Sequence, residues 1–379
     1  MHDYLSEFGG AERVLQVLAE MYPEAPIYTA FAVKESTAWK QFQDREIIES
    51  RLAPILKWKK LYSPLRFLTP WVWLGFDFSD YDVVISSASW YITKGINTGR
   101  TTHHVCYCHT PPRYLYGYPT AVEWQRYWPI RVYAAVVNHF LRAYDYEAAQ
   151  GVDTFLVNSD NVKQRVRKFY GKNAEILYPP VEVEKIVRST QYLVHDMDWK
   201  NKKSDTVKTV GKKDYFLIVS RVVGAKGIDM AMEAAREMKF PLKIVGEPAG
   251  LRWEESKLEK LKSNNIEFVG RVDDDKLYTL YARARAFLAL AEDEDFGMTV
   301  VEAMAAGTPV IAYHGGGYKE TVMEPETGVF FYDYSLSGLK EAIHMFESLS
   351  FDKQDLVKQA KTFSRELFEK KLRMIVENV

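Results

Sequence analysis

The residues best suited to chemistry in this chain are two carboxylates, two cations and a histidine, each set beside a turn. Glu294 and Glu302 lie in the segment Glu292–Ala312, EDEDFGMTVVEAMAAGTPVIA. It reads as a strand end, an acidic turn, a short helix carrying Glu302, a stop at Gly307 and Pro309, and a second strand. A strand–loop–helix junction points backbone N–H groups and a positive helix end at its contents, which favours a phosphate. A carboxylate in the loop and another in the helix can then accept from hydroxyls on either side of that phosphate. Ribose, pyrophosphate and sugar stand in this order in a sugar nucleotide. Arg221 and Lys226 flank Gly224 after another strand-like run, and His109 ends a third, ahead of Thr110-Pro111-Pro112-Arg113.

Positioning these groups requires a parallel sheet. In the second half, strand-like runs at Tyr215–Ser220, Leu242–Gly246, Ile266–Gly270, Ala286–Ala291 and Pro309–Ala312 alternate with helical patterns. The helices are expected at Ile228–Met238, Leu251–Ser263, Asp274–Ala284 and Thr299–Ala306. This is the rhythm of a doubly wound α/β sheet. The first half repeats it less cleanly, with strands at Asp82–Ser86, Thr102–Cys108, Thr154–Asn158 and Glu175–Tyr178 and a long helical region from Ala121 to Gln150. His109, Arg221, Gly246-Glu247-Pro248, Arg271, Glu294 and His314-Gly315-Gly316-Gly317 all follow the carboxyl end of an expected strand. Ligands of open α/β sheets bind at that edge, so six such loops favour a ligand cleft. The lysine-rich stretch Trp199–Lys213 reads as a solvated linker.

The composition narrows the classes. With 379 residues, two domains are expected. A formal net charge of -1 argues against nucleic-acid binding through bulk positive charge. No apolar run reaches the ~18 residues a membrane span needs. Two cysteines, Cys106 and Cys108, make no disulfide framework and fit a reducing cytoplasm. The dense run His103, His104, Cys106, Cys108, His109 raises zinc, but no second cluster supplies a fourth ligand at a familiar spacing. Asp273-Asp274-Asp275 reads as the cap of a helix and Asp80-Tyr81-Asp82 as a strand start, not as metal ligands. No Gly-x-Gly-x-x-Gly and no Walker-type loop occurs, which weakens dehydrogenase and NTPase readings.

Several segments together resemble a known family. SRVVGAKGID (Ser220–Asp229), the run from Glu267 to Ala312, and HGGGYKETV (His314–Val322) are similar to the donor half of family-4 retaining glycosyltransferases with the GT-B fold. FGGAERVLQVL (Phe8–Leu18), YCHTPPRYLYG (Tyr107–Gly117), Asn158-Ser159 and Tyr178–Val181 resemble the acceptor half. The branch with the strongest resemblance is the mannosyltransferases of surface-polysaccharide, O-antigen-like assembly. The resemblance implies two Rossmann-like domains facing across a cleft. Their expected limits are 1–185 for the acceptor domain, 186–213 for a polar linker and 214–350 for the nucleotide-sugar domain. A final helical segment, 351–379, is expected to return to the first domain. Catalytic roles then fall to His109, Arg221, Lys226 and Glu294. Donor binding falls to Gly9, Gly10, Gly246, Arg271, Val272, Phe296, Gly297, Met298, Thr299 and Glu302. In this scheme Glu294 meets sugar hydroxyls, Glu302 the ribose, and Arg221 with Lys226 the pyrophosphate, where fixed cations suit charge growing on a leaving group. No metal or other cofactor is expected. The substrates are a nucleoside diphosphate sugar, GDP-mannose by branch, and a lipid-linked saccharide.

The family opens with an apolar strand running into a His-Asp-Tyr-like turn, whereas this chain begins at Met1-His2-Asp3-Tyr4. That strand is expected to be missing or reduced to its last residue, as in a chain started a few codons late. Lys57–Phe78, KWKKLYSPLRFLTPWVWLGFDF, interleaves Lys57, Lys59, Lys60 and Arg66 with Trp58, Tyr62, Phe67, Trp71 and Trp73. It reads either as a segment resting on anionic lipid at the inner membrane face or as an aromatic lid over the acceptor. Three rivals stay open: a UDP-sugar-dependent enzyme of the same fold, a sugar-nucleotide epimerase or phosphorylase, and a non-catalytic nucleotide-sugar sensor.

Overall fold

The computed structural model describes residues 1–58, 62–120, 127–200, 215–247 and 258–379, with side chains in the helix Val183–Lys200 described through Gln191. The start of the long helical region at 121–126, the linker at 201–213, Pro248, most of the helix expected at Leu251–Ser263, and Lys59 and Lys60 lie outside the described residues. The chain divides into two compact units, Met1–Pro180 with Glu366–Val379, and Val181–Arg365. Each is an α/β unit built on parallel strands.

In the first unit, β1 (Ile27–Thr29) pairs in parallel with β2 (Ile47–Glu49). β3 (Val83–Ala88), β4 (His103–Cys108), β5 (Thr154–Val157) and β6 (Glu175–Ile176) form a parallel sheet in that order. His2 bridges both Thr29 and Ser87 in parallel fashion and so lies between the two pieces. The helices α1 (Gly10–Met21), α2 (Trp128–Gln150) and α3 (Asp160–Tyr170) flank these strands. α1 carries apolar residues at helical spacing, and Val14, Val17 and Leu18 pack with Val105, Tyr107 and Leu156 of the sheet.

The second unit has helices α4 (Val183–Lys200), α5 (Ile228–Met238), α6 (Asp274–Arg283), α7 (Met298–Ala305), α8 (Leu336–Glu347) and α9 (Lys353–Lys361). Its strands are β7 (Tyr215–Val219), β8 (Leu242–Val245), β9 (Ile266–Gly270), β10 (Ala284–Ala289), β11 (Val310–Tyr313) and β12 (Gly328–Phe331). They form one parallel sheet ordered β12-β11-β10-β7-β8-β9. β7 is apolar throughout, the pattern of a strand covered on both faces. Phe216, Ile218, Ile244, Leu288 and Ile311 pack with Ile228, Ala231 and Ala235 of α5 and Leu339 and Ile343 of α8. Asp273 caps α6, its Oδ1 accepting from the Lys276 N–H at 2.9 Å.

The expected last helix is two helices, α9 and α10 (Arg365–Glu377). The break arises because the backbone between them pairs elsewhere. Val181 donates to the Phe363 carbonyl and Arg365 donates to the Val181 carbonyl. The Arg365 guanidinium meets Glu182 at 2.8 Å, and Phe363 packs edge-on against Phe296. α10 belongs to the first unit, where Phe368 and Leu372 join the Val14–Tyr107 cluster.

Candidate functional site

The strand order of the second unit places a topological switch between β7 and β10. From β7 the chain steps outward to β8 and β9, then returns to β10 on the other side of β7 and continues to β11 and β12. Beyond the carboxyl ends of β7 and β10 the connections run in opposite directions, which opens the crevice where such sheets bind ligands. Arg221 and Lys226 follow β7, and Glu294 follows β10. Their side chains meet there, the Lys226 ammonium donating to Glu294 Oε2 at 2.6 Å. Both stay accessible, at 27% and 20% of their side-chain surface.

Neighbouring loops hold this pair in place. The backbone of Gly317 donates to the Glu294 carbonyl at 2.9 Å. Gly316 has φ +53, and a Cβ there would lie 2.2 Å from the Glu294 carbonyl oxygen. Only glycine lets the loop after β11 lie this close to the loop after β10. Gly246 does the same after β8, with φ +136 and a would-be Cβ 1.9 Å from the Ser220 carbonyl oxygen. Ser220 and Val222 donate in turn to the Val245 and Glu247 carbonyls. The Tyr334 hydroxyl donates to the Leu290 carbonyl at 2.9 Å and fixes the end of the β10 segment.

Glu294 has a second partner. The Tyr318 hydroxyl donates to Oε2 at 3.3 Å. Burial and the adjacent carboxylate push that phenol well above its ordinary range, so it keeps its proton and acts as a donor. Glu294 Oε2 thus accepts from both Lys226 and Tyr318 at the switch point. Phe296 is buried beneath the same loop. Gly297, at φ +92, opens α7 without a side-chain cap, so Met298 and Thr299 stand in its first turn. Glu302 is 3% exposed in that helix and accepts from the Tyr281 hydroxyl at 2.8 Å. The two glutamates therefore differ in setting, one facing the crevice edge and one deep in the unit.

Arg221 is exposed at the end of β7. Arg271 and Val272 follow β9, the outer strand on that side, two strand spacings or roughly 10 Å from β7. Tyr318 and Tyr281 carry no mark in the sequence that separates them from core tyrosines. Tyr318 lies inside the HGGGYKETV segment, and that position was the available signal for it.

The first unit holds the remaining residues. Gly9 precedes α1, and its N–H donates to Glu12 Oε2 at 2.9 Å, with Gly10 the first residue of the helix. His109 follows β4, is 9% exposed, and its Nε2 lies 2.8 Å from Ser87 Oγ. Its backbone carbonyl accepts from Asn158 Nδ2 at 2.9 Å. The rest of the His/Cys run is engaged locally. His103 Nε2 meets Thr154 Oγ1 at 3.0 Å and His104 Nε2 meets Ser86 Oγ at 2.7 Å. Cys106 and Cys108 are buried thiols, and burial pushes Cys106 up to about 11. Among the described residues no three His, Cys, Asp or Glu side chains gather as metal ligands.

The aromatic segment Lys57–Phe78 divides. Trp73, expected in a membrane-resting segment or an aromatic lid, is fully buried, and its indole N–H donates to the Tyr91 carbonyl at 2.8 Å. It is a core residue because the ring packs with Phe31, Leu56, Val72 and Tyr91 and its single polar atom finds a partner there. Lys57 is ion-paired with Glu49 at 2.9 Å. Trp58, Phe67, Trp71 and Leu74 remain exposed. A second exposed apolar row occupies α2, where Trp128, Val132, Val136 and Phe140 recur every four residues. The two are neighbours, since the Tyr133 hydroxyl of α2 donates to the Pro64 carbonyl and the Arg66 guanidinium lies over the Tyr133 ring. No helix among the described residues is long and apolar enough to cross a membrane.

Comparison with known proteins agrees with this architecture. Residues 8–185 match the family described as Glycosyltransferase Family 4, and residues 200–363 match Glycosyl transferases group 1. An uncharacterized glycosyltransferase of Methanocaldococcus jannaschii is 26% identical over 212 residues, covering 53% of this chain and 60% of that protein. An alpha-1,3/1,6-mannosyltransferase of Dictyostelium discoideum is 24% identical over 250 residues, covering 59% and 56%. The chain thus spans less than two thirds of the length of these curated relatives. Among solved structures, Anabaena HepE in complex with UDP-glucose superposes with a TM-score of 0.66 at 15% identity, covering 100% of this chain and 99% of that one. The two family matches together take in nearly the whole chain, and with the paired parallel-sheet units they show that it belongs to the group 1/family 4 glycosyltransferases of the GT-B fold.

Proposed function

We propose that this protein is a retaining hexosyltransferase that moves a sugar from a nucleoside diphosphate to a hydroxyl of a lipid-linked saccharide. The observation that carries the reading is the Lys226–Glu294 pair at the switch between β7 and β10. A nucleotide sugar lying along this edge presents its diphosphate to Lys226 and Arg221, its sugar hydroxyls to Glu294 and its nucleoside toward Glu302. The bond from the anomeric carbon to the diphosphate oxygen breaks, and the acceptor oxygen bonds to that carbon on the same face. The acceptor's proton passes to the departing phosphate oxygen. Lys226 and Arg221 stabilise the charge left on the diphosphate, a preorganised contribution of the oxyanion-hole kind. His109 serves the sugar at the anomeric centre. The diphosphate charge is met by side chains in this reading, so transfer survives EDTA. Loss with chelator and recovery with Mg²⁺ or Mn²⁺ contradicts it.

GDP-mannose is the proposed donor, on the branch resemblance and on the mannosyltransferase among the relatives. UDP-glucose is the second reading, because the Anabaena neighbour is described with that ligand. A calorimetric panel of GDP-mannose, UDP-glucose, UDP-GlcNAc and the free diphosphates decides between them, and no binding by any of them refutes the proposal.

The lipid-linked acceptor places the enzyme at the cytoplasmic face of a membrane. Two features support peripheral attachment through the first unit. One is the exposed set Trp58, Phe67, Trp71 and Leu74, together with the α2 row. The other is charge, since residues 51–76 contain Arg51, Lys57, Lys59, Lys60 and Arg66 and no Asp or Glu. Apolar rings beside cations suit an anionic bilayer surface.

A further inference from the structure

His109 belongs to a hydrogen-bonded chain that the activity proposed above does not use. Its Nε2 lies 2.8 Å from Ser87 Oγ, and the same oxygen lies 3.0 Å from His2 Nδ1. His2 Nε2 lies 3.3 Å from Glu12 Oε1, while Glu12 Oε2 accepts from the Gly9 N–H at 2.9 Å. The chain runs from the first turn of α1, through the residue that bridges β1 and β3, to the end of β4. His2 and Ser87 are almost fully buried and His109 is 9% exposed.

The donors and acceptors can be counted. A serine hydroxyl has one proton to give, and an ionised carboxylate can only accept. Contact with His2 and with the Gly9 N–H holds the Glu12 carboxyl below its usual range against the cost of burial, so Glu12 is the accepting end. His2 therefore carries a proton on Nε2. With His2 neutral, its Nδ1 accepts from the Ser87 O–H, Ser87 Oγ accepts from His109 Nε2–H, and His109 Nδ1 holds a lone pair. With His2 protonated, Nδ1–H donates to Ser87 and the Ser87 O–H turns to His109 Nε2. A neutral His109 must then carry its proton on Nδ1.

We infer that Glu12, His2 and Ser87 form a relay in which protonation of His2 reverses the Ser87 hydroxyl and switches the tautomer of His109. These three are positioning residues. They decide whether His109 Nδ1 donates or accepts, and they give that choice a pH dependence set at a distance from it. Glu12 faces His2 from α1. The Met1 amino group is held on the Ile85 carbonyl, and the Asp3 carboxylate is taken up by Ser89, Trp90 and Thr93. From β4, the Tyr107 ring packs against His109 with centroids 5.0 Å apart. The consequence for transfer rests on the reading of His109 as a sugar-facing residue, whereas the relay itself does not.

The test is a pH titration of the ligand-free protein with ¹⁵N-labelled histidine, following both ring nitrogens of His2 and His109. The expected result is that Nε2 and Nδ1 of His109 exchange protonated and unprotonated signals at the pH where His2 takes up its proton. In Ser87→Ala this exchange is lost, while circular dichroism and melting show a folded chain. Wild-type His109 nitrogens that keep their signals through the His2 titration overturn the relay, and this outcome needs no variant. So does an exchange that persists in Ser87→Ala. A transferase assay separates the two ideas. Lower kcat in Ser87→Ala with unchanged nucleoside diphosphate binding supports the role in transfer. Unchanged turnover beside an intact wild-type exchange leaves the relay standing and removes its control of the His109 tautomer from the chemistry.

Discussion

Replacing Lys226 with Met keeps much of the side chain's bulk and removes its charge, and two consequences follow on different scales. The first concerns stability. The Lys226–Glu294 pair is short, at 2.6 Å, but 27% and 20% of the two side chains remain exposed. Exposed pairs contribute ~0.2–1 kcal/mol, and breaking a fully buried pair costs about 3–5 kcal/mol. Solvent reaches both partners here, and Tyr318 continues to donate to Glu294, so a loss of roughly 1 kcal/mol is expected. In a unit the size of Val181–Arg365, that lowers Tm by about 2–4 °C. The second consequence concerns turnover. A cation aimed at a leaving diphosphate is a preorganised charge stabiliser, whose removal costs about 10²–10³ in kcat, or ~3–4 kcal/mol. Differential scanning fluorimetry and initial-rate transfer assays on the same preparation measure both. A Tm loss above 10 °C, or turnover within threefold of wild type, refutes the assignment of Lys226 to the reaction.

Three further outcomes follow from individual residues. Gly316→Ala forces a Cβ into the Glu294 carbonyl at φ +53 and should abolish transfer. Gly171→Ala, at φ +66 with open space around it, should cost only the ~1–2 kcal/mol of left-handed strain, and comparing the two by melting and rate isolates the loop contact. Burial pushes His104 down to about 3 from an ordinary value near 6.5, so between these values the unfolded chain binds a proton that the folded chain does not. Its contribution is complete above about pH 6.5 and is lost as pH falls toward 3, up to about 5 kcal/mol, and His104→Asn should flatten urea-derived stability across that window. Wild-type protein should float with anionic liposomes at low salt and detach as salt rises. Replacing Trp58, Trp71, Trp128 and Phe140 with Ser should release it, and equal binding by that variant removes the membrane surface from the account.

The candidate site was legible, as a set of loops on one sheet edge, where chemistry and topology coincide. Glu294, Arg221, Lys226 and the His314–Gly317 loop each follow a strand that an apolar run marks clearly, so the sequence order already aligned them on one edge. Lys226 meeting Glu294 required the switch in strand order, which is a long-range property that no local window holds. Tyr318 and Tyr281 were invisible as partners because a tyrosine near a carboxylate is recognised only in three dimensions. The chain from Glu12 to His109 joins residues 10, 85 and 22 positions apart in sequence. Trp73 read as part of an interfacial segment or an aromatic lid because it stands with Trp58, Phe67 and Trp71 among Lys57, Lys59, Lys60 and Arg66, yet the short helix Thr69–Trp73 turns one face inward. The split of the last helix depends on Val181 offering backbone partners to Phe363 and Arg365, a tertiary demand that overrides helix propensity. β1 and β2 have three residues each and β12 reads Gly-Val-Phe-Phe, too short for periodicity to separate from loop or helix.

The central claim is that Glu294 serves the transferred sugar while Glu302 serves the nucleotide. Isothermal titration of GDP and of GDP-mannose into wild type, Glu294→Ala and Glu302→Ala, paired with single-turnover transfer, tests it most directly. Glu294→Ala should bind GDP as wild type does, lose the increment contributed by the sugar, and lose transfer. Glu302→Ala should lose about 1.5–3 kcal/mol of GDP affinity itself, the value of a charged hydrogen bond. Wild-type affinity for GDP in both variants, together with unimpaired transfer in Glu294→Ala, contradicts the account.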